Sequence, residues 1–155
     1  MLYGQTSTVK RYLGTVLLVE DNPVIGVNQK DLLESEGYRC VWADSLQRAW
    51  RLAQTHSLEL IICDHDLPDG KGETLVKRLL ASGRSVPVLY LSAAAHGDLR
   101  RRIEGLESVR SVLTKPVSPE ELMDAVKACA GPTETVIYPR LIGQDERGLL
   151  LNALA

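Results

Sequence analysis

Four short stretches of this 155-residue chain carry side chains suited to handling a phosphoryl group. They are the acidic pair Glu20-Asp21, the run Asp64-His65-Asp66-Leu67-Pro68-Asp69-Gly70, the hydroxyl in Leu91-Ser92-Ala93, and the ammonium in Leu113-Thr114-Lys115-Pro116. Carboxylates packed together raise one another's pKa unless a cation neutralises them. Oxygen ligands from acidic residues suit Mg²⁺, which keeps several waters and takes phosphate oxygens in its remaining positions. A lysine and a small hydroxyl supply what a phosphoryl group needs on its other oxygens. A central carboxylate can then act as nucleophile and become an aspartyl phosphate. If the four stretches meet, the chemistry is Mg²⁺-assisted phosphoryl transfer to an aspartate.

What would bring them together is an alternation of strands and helices. Short unbroken apolar runs at 15–19, 38–43, 58–63, 86–91 and 109–113 have strand length and lack polar alternation, which predicts parallel strands covered on both faces. Between them lie helix-length stretches with recognisable ends. Asn22-Pro23 opens the first, which closes at Glu36-Gly37. Asp44-Ser45 caps a second, buried through Leu46, Ala49, Trp50 and Ala53. A third runs over 72–82, with Leu75, Val76, Leu79 and Leu80 inward and Gly83 as its stop. Leu99, Ile103 and Leu106 give a fourth a narrow apolar stripe. Ser118-Pro119-Glu120-Glu121 is a capping box opening a fifth, with Leu122, Val126 and Cys129 inward. This βα alternation predicts an open parallel sheet with helices on both faces, whose ligands bind beyond the carboxyl ends of the strands. All four chemical stretches lie at such ends.

Composition narrows the function class. Hydrophobic residues are 45% and charged residues 25%, a globular balance. A net charge of −2 gives no global attraction to nucleic acid or anionic lipid, and no apolar run is long enough to span a bilayer. Cys40, Cys63 and Cys129 lack metal-type spacing and sit among apolar neighbours, so buried thiols in a reducing cytoplasm are expected.

With those residues in place, the chain resembles the receiver domain of two-component response regulators over about 15–130. The resemblance rests on Glu20-Asp21, the Asp64 run, Leu91-Ser92-Ala93 and Lys115-Pro116, in that order and at receiver-like spacing. It implies a flavodoxin-like (βα)5 fold of strand order 2-1-3-4-5. Asp64 would be the phosphoacceptor. Asp21, Asp64 and the Asp66 backbone carbonyl would hold Mg²⁺, with Glu20 acting through water. Lys115 and Ser92 would take phosphoryl oxygens. The phosphoryl group would come from a histidine kinase or a phosphotransfer protein. The expected product is a signalling switch or relay intermediate rather than an enzyme, cytoplasmic, with no direct contact to nucleic acid or membrane. Alternatives are a phosphorylation-independent scaffold of the same fold and the receiver piece of a larger hybrid kinase.

Several positions depart from the receiver pattern. Val112 stands three residues before Lys115, where receivers commonly carry the aromatic ring that reports phosphorylation. The stretch 105–110 is one residue longer than usual, and Val117 follows Lys115-Pro116 where phenylalanine is frequent. Asp66 adds a carboxylate beside the site while Ala94 offers nothing to orient water, so slow loss of phosphate is expected. Arg100, Arg101 and Arg102 read as solvated surface or as part of an output face.

The remaining features carry less. Asp64-His65-Asp66 matches the nucleophile pair of haloacid-dehalogenase-type phosphatases only locally, since two strands precede it and Pro68 follows. Cys63 and His65, expected on opposite faces, together with His56 do not make a transition-metal site, and His96 is expected in solvent. Residues 1–14 read as an extension in which 9–13 could add a turn, and 15–131 as the receiver unit. The extension 132–155 is predicted to hold a short strand at 135–138, interrupted by Pro139, and a small helix over 145–155. Its apolar content suggests self-packing or a dimer contact, as does the face of the fourth and fifth helices. The expected whole is a stand-alone regulator.

Overall fold

Val16, Leu17, Leu18 and Val19 are all fully buried because the strand that carries them lies inside a sheet covered on both faces. The computed structural model describes residues 9–93, 97–130 and 136–139. In chain order the elements are β1 (Val9–Tyr12), β2 (Thr15–Val19), α1 (Pro23–Ser35), β3 (Arg39–Ala43), α2 (Leu46–Thr55), β4 (Leu60–Asp64), β5 (Asp66–Leu67), β6 (Gly70–Lys71), α3 (Gly72–Ala81), β7 (Val88–Ser92), α4 (Gly97–Glu104), β8 (Val109–Thr114), α5 (Pro119–Ala130) and β9 (Val136–Pro139).

The main sheet is parallel, in the order β3-β2-β4-β7-β8. Counting only its own strands, this is the expected 2-1-3-4-5 arrangement, the flavodoxin-like fold. Side chains alternate between two cores. Leu17, Val19, Ile61, Cys63, Val88 and Tyr90 face α2, α3 and α4. Val16, Leu18, Leu60, Ile62, Leu89 and Leu91 face α1 and α5. Coverage on both faces holds for β2, β4 and β7 but not for the two edge strands: β3 is only partly buried, and β8 is half-buried at best along its length.

Helix ends follow the local chemistry. Asn22 Oδ1 accepts from the Val24 and Ile25 amides at 3.0 and 3.2 Å, and Ser45 Oγ accepts from Arg48 at 3.2 Å. The capping box is complete, with Ser118 N donating to Glu121 Oε2 at 3.0 Å and Glu121 N to Ser118 Oγ at 3.1 Å.

The register shifts by one residue between β7 and β8. Val88 pairs with Val109 but Leu89 with Ser111, so Arg110 is skipped. The skipped residue falls within 105–110, and the bulge sets Val112 opposite Tyr90 and Thr114 opposite Ser92.

Two readings of the chain ends need correction. Residues 9–12 form a strand, not a turn, and pair antiparallel with β9. Pro139 does not interrupt that second strand but ends it, opposite Val9. A proline at a strand end costs little, since its missing N–H need not serve the ladder. The helix expected over 145–155 lies outside the described residues.

Candidate functional site

Glu20 follows directly from β2, and its backbone is held from both directions. Its amide donates to the Ala43 carbonyl at 3.0 Å, and its own carbonyl accepts from the Trp42 indole at 2.8 Å. The Trp42 ring lies against Gly26 of α1, where an added Cβ would come within 2.3 Å of it. Glu20 is 2% exposed; Oε1 accepts from the Asn22 amide at 3.1 Å, while Oε2 is buried with no hydrogen-bond partner. Burial raises its pKa, against the opposing pull of the Asn22 amide and the Lys115 ammonium.

Asp64 closes β4 and is buried. The next residue is fixed on both backbone sides, since His65 N donates to the Leu91 carbonyl at 2.9 Å and Gly72 N to the His65 carbonyl at 2.8 Å. Only glycine fits at position 72, because a Cβ there would meet the Asp64 carbonyl oxygen at 2.2 Å and Cys63 Sγ at 2.8 Å. On the other side, Lys115 N donates to the Ser92 carbonyl at 2.8 Å, and the Lys115–Pro116 peptide is cis. Lys115 Nζ lies 2.7 Å from Asp64 Oδ1 and 3.7 Å from Glu20 Oε2. Burial alone would lower its pKa, but the carboxylates of Asp64, Glu20 and Asp21 outweigh that and raise it.

Glu20, Asp21 and Asp64 each bring one carboxylate oxygen within 4.8 Å of the others, with Asp21 the exposed member. One lysine does not balance three carboxylates, and Glu20 Oε2 has no donor. An all-oxygen set with an unsatisfied buried acceptor fits a hydrated Mg²⁺. The four stretches singled out in the sequence therefore meet at one rim.

Comparison with known proteins agrees with this geometry. Residues 16–127 match the response regulator receiver domain. The chain belongs to the response regulator receiver family. It is 33% identical to the phosphate regulon transcriptional regulatory protein PhoB of Pseudomonas aeruginosa, over 91% of this chain and 61% of that protein. It is 36% identical to the response regulator RppA of Synechocystis, over 73% and 49%. The chain thus spans about half to three-fifths of these curated relatives. Among solved structures, the receiver domain of the sensor histidine kinase PA1611 from Pseudomonas aeruginosa superposes with a TM-score of 0.67 at 30% identity, covering 76% of this chain and 98% of that one. That structure holds a magnesium ion in its active-site cleft. The non-phosphorylated HemR receiver of Leptospira biflexa gives a TM-score of 0.72 at 29% identity, covering 77% and 96%.

Other expected site residues of this receiver are placed as follows. The Asp66 side chain turns to an ion pair with Lys71, which holds its carboxyl below the usual range, so it adds no free carboxylate to the cluster. Val112 is half-buried and packs in the same core as Tyr90. The arginine run is not uniform: Arg100 pairs with Glu104 at 2.8 Å and Arg102 reaches Glu73 at 3.0 Å, while Arg101 is exposed. Ala94 and His96 lie outside the described residues.

Cys63 and His65 are two residues apart and so share a face, contrary to the expectation of opposite faces. Both meet Tyr90, Cys63 in the core and His65 through its ring nitrogen. Burial raises the Cys63 thiol pKa far from the range where it would ligate a metal, and its Sγ donates to the Asp64 carbonyl at 3.4 Å. Cys40 is likewise buried and pushed up to about 12, whereas Cys129 is half-buried. Among the described residues, no helix is long and apolar enough to cross a membrane.

Two supports were not read from the sequence. Asp69 spans the N-terminus of α2, accepting from Leu46 N at 2.8 Å and Gln47 N at 3.0 Å. Trp42 anchors Glu20. In the sequence Asp69 stands only as part of the run that follows Asp64, and only the fold brings α2 to it.

Proposed function

We propose that this receiver accepts a phosphoryl group on Asp64 from a phosphohistidine, with Mg²⁺ bound at the acidic rim. The observation that carries the reading is Lys115 Nζ at 2.7 Å from Asp64 Oδ1, inside the cluster formed with Glu20 and Asp21. An Asp64 carboxylate oxygen attacks phosphorus as the phosphorus–nitrogen bond of the donor breaks, and the electron pair returns to the donor imidazole. Asp21 and Asp64 would hold the metal, with the Asp66 carbonyl as a further protein oxygen and Glu20 acting through water. Once bound, it would neutralise charge on the transferring oxygens. Lys115 leaves its ion pair with Asp64 to take one phosphoryl oxygen, and the Ser92 hydroxyl takes another. Positioning and electrostatics carry the rate, with no separate acid or base needed.

Receiver domains work with histidine kinases, and the surface next to the rim suits a protein donor. Helix α1 leaves the site just after Asp21 and exposes Val24 (67%), Ile25 (38%) and Val27 (46%). Such apolar exposure beside a charged cleft favours a helical phosphotransfer partner over a free small phosphodonor. The output follows as altered affinity for a partner protein or onward relay of the phosphoryl group.

The test is incubation with acetyl phosphate and Mg²⁺ followed by intact-mass measurement. One added phosphoryl group is expected, absent in Asp64→Asn and absent when Mg²⁺ is chelated. Labelling of Asp64→Asn at wild-type level would overturn the assignment.

A further inference from the structure

Val112 has no ring to move, yet the face it lies on holds a buried aromatic directly opposite, Tyr90 on β7. Tyr90 is completely buried, so its ring has no outward position to adopt. Its hydroxyl meets His65 Nδ1, the residue after Asp64, and the two rings lie 5.5 Å apart between centroids. The Glu73 main chain, in the first turn of α3, lies beside the same hydroxyl. The carboxylate of Glu73 then reaches α4, with Oε2 at 3.0 Å from Arg102, while Oε1 pairs with Lys77 at 2.8 Å.

We propose that occupancy of Asp64 is transmitted to α4 through His65, Tyr90 and Glu73, with the Glu73–Arg102 ion pair as the releasable last link. This rests on Asp64 being the phosphoacceptor. Phosphorylation adds roughly one and a half to two negative charges at the tip of β4, and the residues there must move around them. His65 has little room to absorb that movement, since its amide, its carbonyl and its ring are all bonded. The displacement passes to Tyr90, which sits in a close-packed core that transmits strain instead of damping it. From there it reaches the first turn of α3, where Glu73 is nearly buried and holds an Arg102 whose side chain is 59% exposed. An ion pair with one solvated partner is weak enough to open when its anchor shifts. Among the described side chains of α4, Ile103 alone is fully buried, so losing that tether frees much of the helix's hold.

The experiment is amide hydrogen exchange on wild type and three variants, with and without beryllofluoride and Mg²⁺ as the phosphoryl analogue. In wild type, α4 amides should change rate by at least about fivefold on analogue binding, the low end of ordinary coupling between sites. Tyr90→Phe keeps the ring and removes the hydroxyl; it should still bind the analogue, still respond in α1, and lose the α4 response. Arg102→Gln, a surface change that leaves the core intact, should show fast α4 exchange before the analogue is added and no further change after. Glu73→Gln should behave as Arg102→Gln. A Tyr90→Phe protein that binds the analogue and keeps the full α4 response overturns the proposal, as does a wild type that binds the analogue with α4 unchanged. Failure of wild type to bind the analogue at all overturns the phosphoacceptor reading itself, a distinguishable result.

Discussion

The ammonium of Lys115 and the carboxylate of Asp64 are in direct contact, 2.7 Å apart, although 51 positions separate them in the chain. The contact is built by the β7–β8 pairing and by the backbone bond from Lys115 to Ser92. It means that one lysine faces several carboxylates at this rim. Lys115→Met should therefore cost about 2–3 kcal/mol without metal, below the full cost of breaking a buried pair because Lys115 is partly exposed. Saturating Mg²⁺ should recover most of that loss. Urea denaturation with and without Mg²⁺ measures both.

Glu20 presents the opposite case. Its Oε2 is buried without a donor, and burial raises its pKa. Glu20→Gln removes a buried charge from a cluster of like charges, so the metal-free protein should gain about 1 kcal/mol. Mg²⁺ affinity should fall by roughly 10- to 100-fold, as for loss of an outer-shell ligand. Calorimetric titration with Mg²⁺ alongside denaturation separates the two effects.

Gly72→Ala tests the packing behind the phosphoacceptor. The new methyl has no space between the Asp64 carbonyl and Cys63 Sγ, so the backbone must shift. A cost of about 1–3 kcal/mol is expected, with weakened metal binding because Asp64 moves. Thermal melts and Mg²⁺ titration read the two consequences.

Asp69→Ala should cost about 1 kcal/mol, as loss of a helix cap does. The carboxylate sits at the α2 N-terminus, where the Leu46 and Gln47 amides outweigh burial and lower its pKa. Asp69→Asn keeps one acceptor and should lose less. Denaturant midpoints compare the three proteins.

The pH dependence of stability should show Glu73. The Lys77 hydrogen bond, followed by Arg102, holds its carboxyl below the ordinary value of 4.5. A depressed carboxylate stabilises above its unfolded pKa and loses that contribution as pH falls through the folded value. Wild type should exceed Glu73→Gln by roughly 1 kcal/mol near neutrality, a modest figure because both cations are largely exposed. The difference should shrink as pH falls below 4.5. Melts at pH 7 and pH 3 check it.

Much of this was legible in the sequence, because the features concerned are local. Asn22, Ser45 and Ser118 cap the helices they were expected to cap, and the burial of Leu17, Ile61 and Leu89 follows from unbroken apolar runs. The rim residues were readable because parallel strands put their carboxyl ends on one edge. What stayed hidden depends on distant parts meeting. Asp69 is just one acid in the run after Asp64 until α2 arrives beside it, and Trp42 lies in an apolar strand run until its N–H finds the Glu20 carbonyl. The β1–β9 pairing joins segments more than 120 residues apart and has no local signature. The bond between Tyr90 and His65 is hidden for the same reason.

The skipped residue at Arg110 has a bearing on how this molecule tolerates change. Because the slip occurs near the start of the ladder, between Val88 and Leu89, every pair from Leu89–Ser111 to Ser92–Thr114 keeps one register. An added residue in the preceding connection is therefore taken up far from the rim, and the lysine that must touch position 64 keeps its height. Length can vary at the amino end of that strand while the reacting groups at its other end stay in place.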